Sequence, residues 1–291
     1  MAFVQQQAEP PLVSVLMAAY NAEAFIRSAL DSLLEQTLRD IEVIVVDDAS
    51  TDATAGIVEA SDDPRVRLIR LPVNRGVATA RNAALQAARG RFVAIMDADD
   101  RSRPQRLHVQ SDILLDHPDI DVLGSQIAIV DEEGRILARR RYPLDHETIV
   151  RALPRWNPIA HPTVLARREV LLDAGGYDPS FEATEDYDLW SRLARGGRRF
   201  GNVPHTLVDY RLHPASIKTT RVRTTLRETL LVQSMHWADR RGPWDRAYRC
   251  GERVLLRLPP RVTMLGFKWV RYRLPSIVAQ SRVRQLRSRK P

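Results

Sequence analysis

The sequence predicts an α/β fold built on a mostly parallel sheet with helices on both faces. Short continuous apolar runs alternate with helix-length amphipathic segments, a pattern typical of parallel strands that are buried on both sides. Two of these runs end in clustered carboxylates, at Asp47-Asp48 and at Asp97-Ala98-Asp99-Asp100. Because open α/β sheets bind ligands outside the carboxyl ends of their strands, a ligand site is predicted at one edge of the sheet.

The predicted elements follow one another in a regular order. An apolar run ends in turn residues at Tyr20 and Asn21, and a segment with apolar residues at helical spacing comes after it. Later segments repeat this alternation, and right-handed crossovers would bring the acidic strand ends to one edge. The expected strands lie in the runs 12–21, 41–46, 66–71 and 92–96, and the expected helices span 23–36 and about 76–88.

Three carboxylates within four positions, Asp97, Asp99 and Asp100, concentrate negative charge at the end of a buried strand. Such charge persists beside a cation. The seven histidines show no H-x-x-x-H pair on which to build a catalytic zinc site, whereas oxygen ligands suit Mg2+ or Mn2+. We therefore expect a divalent metal that holds a phosphate. Ordinary loop acids are the alternative, because Asp is common where strands turn.

The second half of the chain adds a hairpin, an irregular loop and an amphipathic helix. The hairpin is predicted from residues 121–130 and 135–140 around a glycine-containing turn. Two prolines prevent a regular helix at 156–163, so this stretch is predicted to be a loop. The helix is predicted to begin at Thr184.

Asp186 occupies an unusual position in this last helix. It falls at helical spacing with Leu189 and Leu193, so its carboxylate is predicted to lie on the apolar side of the helix. Partial burial would raise its proton affinity toward a value useful for a general base. The alternative is that these acids only complement the helix dipole and that Thr184 caps the helix. Glu185 and Asp188 are the next candidates for the base.

The composition is typical of an enzyme. The chain has 291 residues, of which 44% are hydrophobic, enough for one large core and a small C-terminal appendage. No apolar stretch approaches the roughly 20 residues needed to span a bilayer, and residues 1–11 lack the features of a signal peptide. We therefore expect a cytoplasmic protein. A single cysteine, Cys250, excludes an intramolecular disulfide and a thiolate metal cluster.

The motifs and their order resemble the family 2 glycosyltransferases, which have the GT-A fold. The resemblance covers residues 12–215, and the spacing of the motifs makes it more specific than any one of them. It implies a Rossmann-like, mostly parallel sheet with helices on both faces and a C-terminal helical, basic extension. No G-x-G-x-x-G follows the first strand, which argues against a dinucleotide dehydrogenase. The motifs are Ser14–Asn21, Val45–Asp52, Asn74–Gly76, Ala80–Asn82, Asp97–Asp100, Pro104–Leu107 and Thr184–Trp190.

The resemblance assigns roles to residues at the predicted strand ends. It implies that Asp48 reads a uracil base and that Ala18 and Tyr20 flank this base. It also implies that Asp97 contacts the ribose or the donor sugar and that Asp99 ligates the metal. For Tyr20, ordinary packing at the edge of the sheet is a comparable alternative. Asp48 would otherwise be an acid ahead of a helix N-terminus.

Cationic and aromatic side chains complete the expected site. Arg75 and Arg81 lie where guanidinium groups would neutralise a diphosphate, with exposure to solvent as the alternative. His213 would complete the metal shell or touch the diphosphate, although a lone histidine on a loop is more often a surface residue. Trp156 and Trp190 are candidates for stacking on a sugar, and core packing is preferred for Trp190.

The resemblance implies a single inverting displacement on a nucleotide sugar, with a UDP-sugar favoured. The Asp of the Glu-Asp pair, Asp186, would deprotonate the hydroxyl of a glycan or lipid-linked saccharide acceptor while the metal stabilises the leaving diphosphate. We expect the loop 156–163 to face this acceptor. Two other classes remain open. A sugar-nucleotide nucleotidyltransferase would usually show a Gly-rich phosphate loop after the first strand, and a catalytically silent glycan-binding protein would need neither carboxylate cluster.

The chain is predicted to have four parts. They are a flexible N-terminus (1–11), a nucleotide-sugar-binding half (12–110), an acceptor-binding half (111–215) and a helical, basic extension (216–291). Within the extension, residues 244–291 carry 13 Lys and Arg against 2 Asp and Glu, a charge of +11, whereas the rest of the chain carries −3.

This basic end predicts an interaction with an anionic surface. Apolar and aromatic residues are interleaved with the cations, which suits the interface of an anionic membrane. We expect peripheral attachment at the inner face of the cell membrane. Nucleic acid is not expected, because no recognised nucleic-acid fold precedes the segment. Packing against the protein itself or against a protein partner is the remaining alternative.

Overall fold

A computed structural model of the chain describes residues 9–213 and 221–240, together with residues 250, 251, 253, 254, 256 and 257. The strands are β1 Val13–Ala19, β2 Ile41–Asp47, β3 Val66–Arg70, β4 Phe92–Asp97, β5 Arg101–Ser102, β6 Val122–Val130, β7 Ile136–Arg140, β8 Leu165–Arg167 and β9 Phe200–Arg211. The helices are α1 Ile26–Leu34, α2 Thr54–Glu59, α3 Val77–Ala87, α4 Arg106–Asp116, α5 His146–Ala152, α6 Arg168–Asp173, α7 Glu185–Arg195 and α8 Val222–His236.

These strands form one sheet in the order β3-β2-β1-β4-β8-β6-β9-β5, with β7 paired to β6. The strands β3, β2, β1 and β4 are parallel, as the alternation of apolar runs and helices predicts. Beyond β4 the sheet becomes mixed, because β8 runs antiparallel to both β4 and β6 while β6 and β9 are parallel. The mixed part carries the second half of the chain and continues the same sheet.

Helices cover both faces of this sheet. Alternate residues of β1 point to opposite sides, so that Val15 and Met17 join one core and Leu16 joins the other. The first core is closed by α1, and the second by α3 and α7. Trp190 of α7 is fully buried in the second core, which confirms core packing for it and removes it as a surface for sugar stacking.

The second half contains the predicted hairpin and irregular loop. Strands β6 and β7 pair antiparallel, with Ile127 opposite Arg140. In the stretch 156–163 the regular structure is one 3-10 turn, His161–Thr163. The cap that belonged to the structural alternative for α7 is absent, because the Thr184 side chain makes no capping hydrogen bond.

Several expectations concern residues outside those that the structure describes. These are the flexibility of residues 1–8 and the behaviour of most of the basic segment 244–291. The division of the chain into four parts stays a prediction. Among the described residues, none of the helices combines the length and the apolarity needed to cross a bilayer.

Candidate active site

The carboxyl ends of β2, β1 and β4 meet at one edge of the sheet. Ala18 of β1 pairs with Asp97 of β4, and Ala19 of β1 pairs with Asp47 of β2. The backbone N–H of Asp48 donates to the carbonyl of Ala19 at 2.8 Å. The register therefore brings both predicted acidic segments to the end of β1, as expected for a ligand site in an open α/β sheet.

The buried carboxylate of Asp48 organises the loop that leads into α3. Its two oxygens accept the backbone N–H groups of Arg75 and Gly76, each at 2.8 Å. Gly76 has a φ of 86°, a conformation that residues with a side chain rarely adopt, so glycine suits this turn. Each carboxylate oxygen keeps a second acceptor position, so Asp48 is able to accept a further hydrogen bond from a base. Arg75 itself is exposed.

The loops after β1 and β2 are tied together beside Asp48. The backbone N–H of Asn21 donates to Ser50 Oγ at 2.9 Å, and Asn21 Oδ1 accepts the N–H of Thr51 at 2.9 Å. This arrangement leaves Tyr20 at the edge of the sheet with 51% of its surface exposed. An exposed aromatic ring beside a hydrogen-bonding carboxylate suits a planar ligand.

The acidic cluster predicted after β4 is present. Carboxylate oxygens of Asp97, Asp99 and Asp100 lie within 4.8 Å of one another. His213 Nε2 lies 2.9 Å from Asp99 Oδ2, so the predicted imidazole is beside the predicted metal ligand. Hard carboxylate oxygens at this spacing fit Mg2+ or Mn2+, and one imidazole is compatible with Mn2+.

Arg211 holds the acidic loop in place from the end of β9. Its backbone N–H donates to Asp100 Oδ1 at 2.8 Å, and its Nε donates to the carbonyl of Asp99 at 2.9 Å. The Arg211 guanidinium also lies over the Phe25 ring, at 5.1 Å from its centroid. The sequence interpretation used the motif around His213 but gave no role to Arg211, because a contact across 111 positions depends on the sheet order.

A second buried arginine lies beneath the same cluster. Arg106 Nη2 donates to the carbonyls of Ile95 at 2.8 Å and Val164 at 3.1 Å. Burial lowers the pKa of Arg106 to about 9, although Asp100 and Asp97 oppose this shift. The positive charge compensates part of the negative potential of the acidic loop from inside the protein.

Arg81 joins the strand-end acids to the acidic pair of α7. Its Nη2 donates to Asp97 Oδ1 at 2.7 Å, and its Nη1 forms an ion pair with Glu185 Oε1. Burial disfavours the charge of the guanidinium, but Asp97 and Glu185 outweigh this effect and raise the pKa of Arg81. A diphosphate contact was expected from the sequence. The buried ion pairs instead favour a role in positioning the two carboxylates.

Asp186 is half-buried, in agreement with its predicted place on the helix. Its Oδ2 accepts a hydrogen bond from Asn157 Nδ2 at 2.8 Å, and its Oδ1 accepts the backbone N–H of Tyr187 at 2.7 Å. Asn157 belongs to the loop expected to face the acceptor, although the sequence interpretation did not single it out. Two proline-containing dipeptides in that loop were the signal that it is irregular.

The neighbouring acids are less accessible than Asp186. Glu185 is 6% exposed, and burial raises its pKa against the opposing effect of Arg81. Asp188 is 2% exposed and is engaged by His236 and Arg192, each at 2.8 Å. Of the three acids at the start of α7, Asp186 is therefore the one best placed to meet a substrate.

A buried histidine and tyrosine line the space between the two acidic groups. His161 Nε2 and the Tyr177 hydroxyl are 3.0 Å apart, and His161 Nδ1 lies 3.9 Å from Asp97 Oδ1. Burial raises the pKa of Tyr177, so its hydroxyl stays protonated and able to donate. These residues were not predicted, since nothing in their spacing links them to Asp97.

Trp156 is half-buried next to Asn157 and stacks on Tyr142, with ring centroids 6.3 Å apart. The Arg140 guanidinium lies 4.8 Å from the Tyr142 centroid and 5.8 Å from that of Trp156. Such a platform of aromatic rings and a cation is suited to a sugar. It adjoins Asp186 through Asn157.

Comparisons with known proteins identify the family of this chain. A family model described as Glycosyl transferase family 2 matches residues 14–175. An uncharacterised glycosyltransferase of Haemophilus influenzae is 33% identical over 214 residues, which are 70% of this chain and 66% of that protein. The Escherichia coli UDP-Glc:alpha-D-GlcNAc-diphosphoundecaprenol beta-1,3-glucosyltransferase WfaP is 29% identical over 235 residues, 77% of this chain and 86% of WfaP.

Two solved structures have the same fold as this chain. S. aureus TarS 1-349 in complex with UDP has a TM-score of 0.62 at 24% identity, covering 77% of this chain and 64% of that fragment. The mannosyltransferase PcManGT from Pyrobaculum calidifontis in complex with GDP-Man and Mn2+ has a TM-score of 0.60 at 21% identity, covering 97% of this chain and 81% of PcManGT. These likenesses confirm the GT-A fold.

The family match includes the ends of β1, β2 and β4, where Asp48 and the Asp97 cluster lie. It covers more than half of the chain. The chain therefore belongs to glycosyl transferase family 2 and is a glycosyltransferase.

Proposed function

We propose that this glycosyltransferase is an inverting enzyme that moves a sugar from a UDP-sugar to a hydroxyl of a glycan or lipid-linked saccharide. The observation that carries the proposal is the bridge from Asp97 through Arg81 to Glu185, since it joins the acids at the sheet edge to the residue before Asp186. Acids with donor-side and acceptor-side roles then belong to one site.

Donor recognition is proposed for the end of β1 and the loop before α3. Asp48 would accept the N–H of the base, while Ala18 and Tyr20 would flank its ring. Arg75, exposed on the loop that Asp48 holds, is placed to approach the diphosphate from solvent. UDP is favoured as the nucleotide, and the UDP-Glc named for WfaP supports this choice.

The metal is proposed to be held by Asp99 and His213, with Asp97 and Asp100 close by. The oxygen-rich donor set fits Mn2+ or Mg2+, and Mn2+ in the PcManGT complex supports it. When bound, such an ion would stabilise the negative charge on the leaving diphosphate. Asp97, which Arg81 engages through one oxygen, is expected to contact the ribose or the donor sugar with the other.

Asp186 is proposed as the general base. The acceptor oxygen attacks the anomeric carbon and forms the new glycosidic bond, while the bond from that carbon to the diphosphate oxygen breaks. The hydroxyl proton passes to an oxygen of the Asp186 carboxylate, and UDP leaves with the electron pair. Asn157 fixes the orientation of this carboxylate by its hydrogen bond to Oδ2. One displacement inverts the anomeric configuration.

The acceptor is proposed to lie against the platform formed by Trp156, Tyr142 and Arg140, beside Asn157. The diphosphoundecaprenol-linked GlcNAc named for WfaP supports a lipid-linked saccharide as one acceptor class. Relatives named for O-antigen biosynthesis and for succinoglycan biosynthesis support a role in the synthesis of cell-surface polysaccharide, which we propose for this chain.

The test is a release assay with the purified full chain. UDP-Glc, UDP-GlcNAc, UDP-Gal and GDP-Man are each offered with Mn2+, with and without an α-D-GlcNAc-diphospho-lipid, and the free nucleoside diphosphate is measured. We expect UDP from one UDP-sugar, more in the presence of acceptor and little after chelation. Formation of a nucleotide sugar and pyrophosphate from UTP and a sugar phosphate would identify a nucleotidyltransferase instead. Donor or glycan binding without any turnover would identify a silent binding protein.

We also propose that the basic segment 244–291 attaches the enzyme to the inner face of the cell membrane. Its charge of +11 and its interleaved aromatic residues support a peripheral mode of binding to anionic lipid. A lipid-linked acceptor would then be concentrated in the same plane as the enzyme.

A further inference from the structure

Helix α7, which carries Asp186, begins without a cap from its own sequence. Thr184 occupies the position before the helix, with a φ of −140°, and its side chain makes no capping bond. The Asp186 carboxylate accepts the N–H of Tyr187 in the first turn, whereas the segment that leads into the helix is held by another part of the chain. The position of Asp186 depends directly on this start, because it is the second residue of α7.

Glu228 of α8, 44 to 46 positions further along the chain, supports this segment. Its Oε1 accepts the backbone N–H of Glu182, and its Oε2 accepts the N–H of Ala183, each at 2.9 Å. Oε2 also accepts the hydroxyl of Thr184 at 3.1 Å. One carboxylate therefore binds three consecutive residues that lead into α7, through charge-assisted hydrogen bonds.

Helix α8 also contacts the loop that carries Asn157, whose side chain donates to the Asp186 carboxylate. Gln233 of α8 is buried, and its Nε2 donates to the carbonyl of Arg155 at 3.0 Å. Arg155 lies two residues before Asn157, which donates to Asp186. Both structures that orient Asp186, the start of α7 and the loop with Asn157, are thus held by α8.

Further contacts fix α8 along the length of α7. His236 at the end of α8 lies 2.8 Å from Asp188 Oδ1, and Trp237 Nε1 donates to Ser191 Oγ at 3.1 Å. Trp237 is 1% exposed. Because α8 is anchored at its far end, the Glu228 carboxylate has a defined position relative to α7.

From these contacts we infer that Glu228 is a positioning residue for Asp186. The inference rests on the proposed role of Asp186 as the base. Glu228 sets the start of α7 and so the distance of the Asp186 carboxylate from the acceptor hydroxyl. A displacement of about 1 Å at a reacting group costs up to roughly 100-fold in rate. Donor binding at Asp48 uses different elements and is not affected.

The decisive experiment is a double-mutant cycle with Asp186→Asn and Glu228→Gln. In Glu228→Gln an amide nitrogen replaces one of the two carboxylate oxygens. An amide nitrogen does not accept a hydrogen bond from a backbone N–H, so one of the bonds is lost. We expect Glu228→Gln to lower kcat by roughly 10-fold or more, with an unchanged KM for the donor. In the Asp186→Asn background the same substitution should have little further effect, because the group that it positions is absent.

The rates are measured with the donor found active in the release assay and normalised to the number of UDP-binding sites, determined by calorimetry with Mn2+. This normalisation removes any loss of folded enzyme. Arg221→Ala is the matched control, because it breaks an exposed ion pair with Glu182 on the same segment and should leave kcat unchanged. Should Glu228→Gln fold poorly, Thr184→Val removes a single bond to Glu228 and should give a smaller fall in kcat.

Each other outcome overturns the inference in a recognisable way. An unchanged kcat per site in Glu228→Gln, with Asp186→Asn impaired, would remove the positioning role and leave the base in place. Effects that multiply in the double variant would show that Glu228 acts independently of Asp186. A parental rate in Asp186→Asn alone would refute the proposed base and the inference with it.

Discussion

At the scale of single residues, Arg81 links the two groups of acids at the site. It is 6% exposed and is the cation between Asp97 and Glu185, which are held on β4 and α7. A planar guanidinium is able to bind two carboxylates along separate edges, which a lysine ammonium on its flexible stem does less well. The residue thereby fixes the distance between the two halves of the site.

Arg81→Ala is expected to lower the free energy of unfolding by about 3 to 5 kcal/mol, because it leaves the buried Glu185 and the half-buried Asp97 carboxylates without their cation. Arg81→Lys keeps the charge but loses the planar guanidinium that binds both carboxylates. Its stability should therefore fall between those of the Ala variant and the parent. Urea unfolding followed by circular dichroism measures both. If the Ala variant unfolds at the parental urea concentration, the bridge does not stabilise the protein.

Some residues of the site were predictable from local patterns and others were not. Asp48, Asp97 and Asp99 follow buried apolar runs, and that position alone predicts the edge of a sheet. Asn157 and His161 reach the site through the path of an irregular loop. An irregular loop leaves no periodic pattern in the sequence. The contacts of Asn157 with Asp186 and of His161 with Asp97 are therefore visible only in the folded chain.

At the scale of elements, α7 shows how tertiary contacts replace local ones. Thr184 makes no capping bond to its own helix, and its hydroxyl donates to Glu228 of α8. Asp188, also in the first turn, is held by His236 of α8 and by Arg192 of its own helix. Burial pushes the pKa of Asp188 up, but these hydrogen bonds outweigh burial and hold it below its ordinary value.

This shift predicts a pH dependence of stability. The unfolded chain binds a proton at Asp188 more readily than the folded one, so the stabilisation is present above the ordinary pKa of about 4 and is lost as the pH falls through the lower folded value. Asp188→Asn should therefore flatten the fall of the unfolding free energy below about pH 4. Urea unfolding at several pH values measures the slope, and an identical slope in both proteins would contradict the assignment.

The long elements were predicted more closely than the short ones. Helix α3 covers Val77–Ala87 against an expected span of about 76–88. Strands β5 and β8 have two and three residues, too few to show a period, and they form because neighbouring strands offer hydrogen-bonding partners. The mixed part of the sheet follows from such pairings, which depend on sequence-distant neighbours.

At the scale of the whole molecule, one sheet connects the proposed donor-binding acids after β4 with the loop before β8 that is proposed to face the acceptor. Strand β8 pairs with β4 and β6, so the acidic loop after β4 and the loop ending at His161–Thr163 are connected by backbone hydrogen bonds. Sequence alone predicted the parallel part, but it did not predict how the remaining strands extend it.

The proposed membrane attachment belongs to this scale as well. In a liposome flotation assay at low salt, the full chain should rise with anionic vesicles and a truncation before Trp244 should stay at the bottom, because the +11 segment supplies the attraction. Binding should weaken as salt screens the charges. Equal flotation of the two proteins would assign the segment to packing on the protein or on a protein partner.

The central claim, that Asp186 takes the proton of the acceptor hydroxyl, is tested most directly by Asp186→Asn. This variant keeps the shape of the side chain but removes its basicity, so we expect transfer to fall by about 100-fold or more. Calorimetry should show UDP binding with Mn2+ close to that of the parent, since Asp48 and Asp99 are untouched. Transfer at the parental rate by the Asn variant would contradict the account and direct the search for the base to Glu185 or Asp188.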